Sequence, residues 1–176
     1  MNKININARF LTITGMIIAG AVLRLVPHYP NFTPIAAIAL FGGAYFTNKK
    51  LAVIVPFSAM LLSDLVLGYH STFLAVYISF ALIVAIGFTL RKKRSVLNIA
   101  AASISSSILF FIITNFAFWY TGAMYPMNAT GLAECYTAAI PFFNSTLLGD
   151  LFYTGVFFGA FEFAKYKLPV LEKVKA

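Results

Sequence analysis

Six apolar runs follow one another along this chain, and they limit its possible folds more than any other feature does. Short polar or basic segments separate the runs, and most of them approach the roughly 20 residues that a helix needs to cross a bilayer. Together they make 61% of the 176 residues hydrophobic, with only 10% charged. A soluble domain of this size has too small an interior for so much apolar surface, so we expect an integral membrane protein.

The pattern predicts an all-α bundle of six transmembrane helices that forms a single membrane domain over residues 1–176. The predicted spans are residues 10–26, 32–46, 51–68, 73–90, 99–120 and 141–164. Small residues in the second span predict close contact with another helix, and Pro56 is expected to interrupt the third. The small residues are Ala36, Ala39, Gly43 and Ala44. A polar head with Lys3 precedes the first span, and Ala19-Gly20-Ala21 matches a small-residue cleavage site of a signal peptide. Because the apolar run continues to Val26, we expect residues 1–21 to be retained as part of a spanning helix.

Basic residues occupy the head, alternate loops and the tail of this arrangement, and only Arg24 lies within a span. The positive-inside rule makes that side cytoplasmic, so both termini are predicted to lie inside a multi-pass protein of the cell (inner) membrane. The net charge of +8 then encodes topology, and we expect no nucleic-acid partner. The basic groups are Lys3 and Arg9, Lys49 and Lys50, Arg91 to Arg94, and Lys165, Lys167, Lys173 and Lys175.

Asp150 is the acid placed deepest within an apolar run. If its helix begins near Pro141, the residue lies roughly 13 Å along it, close to the middle of a bilayer. A charge there is costly unless it faces a cavity or a partner. Asp150 therefore has two open interpretations, a binding pocket and a hydrogen bond between helices. The helical period predicts that Leu147 and Thr154 share its face, with Asn144 above them.

Two further pairs of polar residues lie near the outer ends of predicted spans. Arg24 and Asp64 are each roughly 5 Å inside those ends. They could form an ion pair that locks two helices together or could bind a ligand, and both interpretations stay open. Asn115 and Trp119 are four residues apart, so they share a helix face and are predicted to form a pocket wall.

Most polar side chains therefore collect in the outer half of the bundle. This asymmetry predicts an aromatic, hydrogen-bonding cavity that is open to the outside, which suits a small organic solute better than an ion. The candidate substrate-binding residues are Arg24, His28, Asn31, Asp64, His70, Asn115, Trp119, Glu134, Asn144 and Asp150.

Motifs that would indicate catalysis are missing from the sequence, so we expect neither an enzyme nor a cofactor. His28 and His70 could meet Asp64 and Glu134 around a metal ion. Two isolated histidines supply few of the ligands that a metal site needs, so we predict no metal. The sequence has no Gly-rich phosphate loop, so any use of ATP requires another chain. The single Cys135 excludes a disulfide within the chain.

These features resemble the substrate-binding S components of energy-coupling factor (ECF) vitamin transporters. The resemblance lies in six short spans, inside termini, an Ala- and Gly-rich first pair of helices and an outward polar pocket. Three stretches also resemble a related family of uncharacterised small bacterial membrane proteins. They are residues 27–46 (PHYPNFTPIAAIALFGGAYF), 63–70 (SDLVLGYH) and 134–153 (ECYTAAIPFFNSTLLGDLFY).

The resemblance implies that a small, vitamin-like molecule is captured from the outer face, with the loop after the first helix as a lid. That loop corresponds to residues 27–33. A separate transmembrane coupling subunit and two ATPases would supply the energy. In the family, small residues on the first helix contact the coupling subunit, and the corresponding pair here is Gly15 and Ala19. The alternative is a structural or assembly protein of the membrane whose polar residues only join helices.

Overall fold

The computed structural model describes residues 7–122 and 124–172 and contains six α-helices and a short 3-10 turn. The described residues include no β-strand, so the predicted all-α class is confirmed. Lys3, Lys173 and Lys175, which entered the topology prediction, lie outside the described residues. The helices are α1 (Ala8–Leu23), α2 (Ile35–Tyr45), α3 (Lys49–Leu67), α4 (Phe73–Thr89), α5 (Val96–Tyr120) and α6 (Ala129–Lys167), and the turn is Pro169–Leu171.

Side-chain N-caps define where most of these helices begin. In each case an Asn or Ser oxygen accepts a hydrogen bond from a backbone N–H of the first turn, which satisfies a donor that the helix leaves unpaired. Helix α3 ends at Gly68, whose φ of 92° is a left-handed conformation that favours glycine. The capping residues are Asn7, Asn48, Ser95 and Asn128.

Three helices are long and apolar enough to cross a membrane, namely α3, α5 and α6, with 19, 25 and 39 residues. Helices α1, α2 and α4 are apolar but shorter. At 1.5 Å per residue, α2 with its 11 residues measures roughly 17 Å, which is about half of a 30 Å hydrocarbon core. The described chain thus has three helices that could span a membrane, and α2 is the shortest of its six α-helices.

The short helix α2 occupies the centre of the bundle. Every residue from Ala36 to Tyr45 is buried, and α2 packs against α1, α3, α4, α5 and α6. The ring of Phe41 lies 5.5 to 5.6 Å from the rings of three phenylalanines of α6. Because α2 is apolar on every side, it has no face that could be presented to water. The three aromatic partners are Phe157, Phe158 and Phe161.

Small residues let α2 and α4 approach closely, as the sequence predicted for α2. A Cβ added to Gly43 would lie 2.4 Å from the carbonyl oxygen of Val84. One added to Gly87 would lie 2.5 Å from the carbonyl oxygen of Leu40. These distances leave no room for a methyl group, so the two glycines set the spacing of this helix pair.

Two expectations about proline are wrong. Helix α6 begins at Ala129 and not near Pro141, which lies inside it, because Asn128 caps the helix by accepting from Gly131 N at 2.9 Å. Pro141 is on the exposed face, and the connection from α5 is correspondingly shorter than expected. Pro56 likewise does not interrupt α3 but is buried within it, against Gly42 of α2.

We expect Gly87→Ala to destabilise the protein, because the added methyl group has no space between α2 and α4. Overpacking of this kind costs roughly 1–3 kcal/mol. Gly155→Ala is the matched control, since nothing lies within 4 Å of a Cβ at that position. Thermal unfolding in detergent should show a lower Tm for Gly87→Ala and an equal or higher Tm for Gly155→Ala. Equal Tm values for both variants would contradict the packing described here.

Candidate functional site

A cavity of about 100 Å³ lies beneath the loop that joins α1 to α2. The loop and the first turn of α2 form one side of the cavity, and α5 and α6 form the other. Polar and apolar side chains alternate around it, as in ligand sites where a few polar groups fix orientation. The lining residues are Asn31, Thr33, Ile35, Ala36, Phe110, Thr146 and Asp150.

Asp150 is the charged group of this cavity and is only 3% exposed. Its Oδ2 accepts a hydrogen bond of 2.6 Å from the hydroxyl of Ser107 on α5. Among the described residues, none donates to Oδ1. One turn further along α6, Thr154 accepts from Ser103 of α5 at 3.3 Å. Asp150 is therefore both a link between two helices and a carboxylate with one oxygen left for another donor.

The first turn of α2 forms one edge of the same cavity. Its N-cap is Pro34, which makes no side-chain capping hydrogen bond. The first N–H groups of an α-helix have no partner within the helix, and they carry its partial positive charge. Ile35 and Ala36, which lie in this first turn, line the cavity. The cavity thus has the first turn of a helix at one edge and a carboxylate at the other.

The loop is held against α6 by one aromatic side chain. The ring of Phe32 lies 5.6 Å from that of Phe152 and 5.5 Å from that of Tyr153. Gly149 makes this approach possible, because a Cβ there would lie 3.0 Å from the Cα of Phe32. Asn31 turns the loop with a φ of 62°, a conformation that asparagine tolerates better than most residues. Phe32 is therefore the aromatic side chain through which the loop packs on α6.

Arg24 and Asp64 pair with each other, away from the cavity. Arg24 Nη2 donates to Asp64 Oδ1 at 2.8 Å, and its Nη1 bonds the hydroxyl of Ser63. The second oxygen of Asp64 accepts from Tyr77 at 2.9 Å. Both carboxylate oxygens are thus occupied, and the ion pair joins the end of α1 to α3 while Tyr77 adds α4. Of the two interpretations left open by the sequence, the pairing is the one that the structure contains.

The two predicted histidines lie apart from the cavity, on the surface. Both are exposed, with Nδ1 of His28 2.7 Å from the carbonyl oxygen of Val26 and Nδ1 of His70 3.0 Å from the hydroxyl of Thr72. Over residues 7–122 and 124–172, His, Cys, Asp and Glu side chains form no group of three that could hold a metal ion.

The remaining predicted residues are also separated from the cavity. Asn115 donates to the carbonyl of its own helix at Phe111, and Trp119 donates to Pro126 O at 3.0 Å. Trp119 therefore stabilises the loop between α5 and α6 by a hydrogen bond, and it does not line the cavity. Glu134 and Asn144 are exposed.

The cavity thus brings together Asn31 and Asp150 from the predicted set, together with residues that the sequence analysis missed. Thr146 lies four residues before Asp150, so the helical period could have identified it. Thr33, Phe110 and Ser107 carried no such signal, because their position beside Asp150 depends on how the loop and α5 pack against α6.

Gly15 and Ala19, predicted to contact a partner subunit, lie on the outer face of α1. Both are exposed, and nothing lies within 4 Å of a Cβ added to Gly15. The buried side of the helix is formed by residues such as Ile13 and Ile17. This placement leaves the small-residue face of α1 open.

We expect Asp64→Ala to destabilise the protein strongly, because it leaves the buried guanidinium of Arg24 without a counter-ion. Breaking a buried pair from one side costs about 3–5 kcal/mol. In the double variant Arg24→Met, Asp64→Leu, apolar side chains replace both charges, so most of the stability should return. Denaturant unfolding of the purified proteins measures both effects. A single variant as stable as the parent would contradict a structural role for the pair.

Comparison with known proteins gives a family but no described activity. The model of DUF6580, a family of unknown function, matches residues 4–171. No curated protein and no solved structure shows a significant match. Because the family match extends over nearly the whole chain, the protein belongs to the family of unknown function DUF6580.

Proposed function

We propose that this protein is the solute-binding membrane subunit of an ECF-type uptake transporter, which captures a small, vitamin-like organic molecule from the outer face. The observation that carries the proposal is the cavity beneath the loop of residues 27–33, which a buried carboxylate lines. An acid placed among apolar helices is costly to maintain and marks a functional site by default. In this proposal Oδ1 of Asp150 accepts a hydrogen bond from the solute.

The volume of the cavity determines how the solute must enter. At about 100 Å³ the cavity is smaller than sites for drug-sized ligands, which measure roughly 300–1,000 Å³. The loop therefore acts as a lid that moves outward when the solute binds. Phe32 is the main side chain that this movement must release from α6, because its ring packs on Phe152 and Tyr153.

The proposal includes a topology of six spans with both termini in the cytoplasm and a location in the inner membrane. In its support, the described basic clusters lie at one end of the bundle, where Arg9 of α1 and Arg94 of the α4–α5 connection both bond carbonyls at the end of α2. The positive-inside rule places that end in the cytoplasm. The cavity then opens toward the outside. Because α2 is too short to cross the membrane alone, it crosses together with the chain segments at its two ends.

Energy comes, in this proposal, from a transmembrane coupling subunit and its ATPases. Gly15 and Ala19 would form the contact with the coupling subunit, since small residues allow helices to approach closely. Their exposure on α1 leaves that surface free for another helix.

A structural or assembly role is the second candidate. Two buried hydrogen-bonded links favour it, namely Arg24 to Asp64 between α1 and α3, and Ser107 to Asp150 between α5 and α6. In that case Asp150 serves only to hold helices together. Substitution of Asp150 separates the two candidates.

We expect Asp150→Asn to lose the solute but to remain folded. The substitution keeps the size of the side chain and removes its charge, and a hydrogen bond to a charged group contributes about 1.5–3 kcal/mol. The affinity should therefore fall by roughly 10- to 150-fold. Native mass spectrometry of the gently purified proteins measures this loss as reduced occupancy by the small molecule that co-purifies with the parent.

Glu134→Gln is the matched control, because it makes the same chemical change at an exposed acid of the same helix. It should retain the co-purified molecule. If Asp150→Asn retains the molecule as well but melts well below the parent, the carboxylate joins helices only, and the structural role replaces the transport proposal.

We expect Gly15→Leu to release the coupling subunit and to leave solute capture intact. A bulky side chain on the open face of α1 prevents another helix from approaching closely. Gly155→Leu makes the same change at an exposed glycine of α6 where a Cβ also meets nothing within 4 Å. The measurement is the amount of coupling subunit that co-purifies with each tagged variant. Equal loss from both variants would rule out a specific contact on α1.

A further inference from the structure

Three arginines surround the C-terminal end of α2. Arg91 donates from Nε to the carbonyl of Gly43 at 2.8 Å, and Arg94 donates from Nη2 to that of Ala44 at 2.9 Å. Arg9 donates to the carbonyl of Tyr45 at 3.2 Å. The last carbonyls of a helix lack partners within it, and they carry its partial negative charge. The arginines therefore cap a helix that ends inside the protein.

This cluster contains more positive charge than the surrounding residues balance. The helix end supplies only about half a negative charge. The nearby Glu162 is already bound by Tyr45 at 2.5 Å and by Lys165 at 2.6 Å. Within the described part of the chain, no carboxylate lies within ion-pair distance of the three arginines.

Hydrogen-bond donors are also in excess. A guanidinium has five N–H donors in a fixed planar arrangement. Arg91 Nη2 and Arg94 Nε are shielded from solvent, and among the described residues they have no acceptor. The proximity of Arg94, added to the larger effect of burial, lowers the pKa of Arg91. Two neighbouring guanidinium groups thus repel each other, and an anion bound at their solvent-facing side would relieve that repulsion.

The surroundings of the cluster are those of a membrane interface. Arg91 and Arg94 are half-buried, with the guanidinium of Arg91 4.4 Å from the centre of the Phe88 ring. Directly after Arg94, the first turn of α5 presents Val96 and Leu97, which are 86% and 77% exposed. An apolar surface beside half-buried arginines suits a molecule that has an acidic head and hydrocarbon chains.

We propose that Arg91 and Arg94 bind the phosphate group of an anionic phospholipid, whose acyl chains lie along Val96 and Leu97. The planar guanidinium matches phosphate oxygens in pairs, which an ammonium group does not. The backbone carbonyls of α2 already hold both side chains in place, so little side-chain entropy remains to be lost on binding. This site is at the opposite end of α2 from the cavity and is independent of the proposed transport function.

The test measures retention of phosphatidylglycerol by the full-length protein in native mass spectrometry, with phosphatidylcholine as the neutral comparison. We expect the parent to retain phosphatidylglycerol in preference to phosphatidylcholine. The double variant Arg91→Gln, Arg94→Gln should retain at least tenfold less, since a tenfold loss corresponds to about 1.4 kcal/mol, roughly the smallest contribution of a single charge-assisted hydrogen bond. The double variant Lys92→Gln, Lys93→Gln removes the same charge from two neighbouring exposed residues and should retain the lipid as the parent does.

Because Arg91 and Arg94 also cap α2, the charge-conserving pair Arg91→Lys, Arg94→Lys is measured in parallel, and its retention should also fall. Inorganic phosphate is added as a competitor. If millimolar inorganic phosphate displaces the lipid from these arginines, they form a phosphate site whose ligand is a soluble phosphate and not a lipid. The proposal is overturned if the variant Lys92→Gln, Lys93→Gln loses as much lipid as the variant Arg91→Gln, Arg94→Gln, or if the parent retains both lipids equally. The proposal is also overturned if the arginine variants lose a co-purifying protein but retain the lipid.

Discussion

The unpaired backbone groups at the two ends of helix α2 are the constraint on which the rest of the structure depends. The helix is about half as long as a bilayer core is thick, and it is enclosed on every side. Its ends therefore lie inside the protein, where unsatisfied N–H and C=O groups are costly. At the C-terminal end, three arginines donate to the last carbonyls. At the N-terminal end, where no side chain caps the helix, the first turn opens onto a cavity lined by Asp150. Both candidate binding regions are thus consequences of a short helix at the centre of a bundle.

The two buried aspartates differ in how far their hydrogen-bond partners satisfy the carboxylate. Asp64 has one oxygen bound to Arg24 and the other to Tyr77, so its charge and hydrogen-bonding capacity are both satisfied. Asp150 is equally buried but receives a single described hydrogen bond, from the neutral hydroxyl of Ser107. Because Asp150 lines the cavity, the hydrogen-bonding capacity that Ser107 leaves unused is available on that side of the residue. This contrast is the reason that the proposed binding role falls to Asp150 and not to Asp64.

Much of the architecture followed from the pattern of residues. The all-α class and the close packing of α2 through small residues were predicted, because apolar runs and small-residue spacing act locally along one helix. The start of α6 was predicted wrongly. Pro141 indicated a helix start, but a proline on an exposed helix face is tolerated, and the capping hydrogen bond of Asn128 begins the helix a dozen residues earlier. Trp119 was expected to line a pocket, yet it donates to Pro126, because the turn after α5 brings that carbonyl back to the indole.

The sequence by itself determined that this chain is helical, that its apolar runs are suited to a membrane, and that Asp150 lies among apolar residues. It also determined that basic clusters occupy alternate connections between the apolar runs. These properties depend on composition and on periodicity within single segments. Only the tertiary structure decided which polar groups meet. It brought Asn31, Thr146 and Asp150 together around one cavity, and it paired Arg24 with Asp64 instead of leaving them for a ligand. The physical reason is that such contacts join residues far apart in the chain, and the packing of whole helices around α2 sets the distances between them.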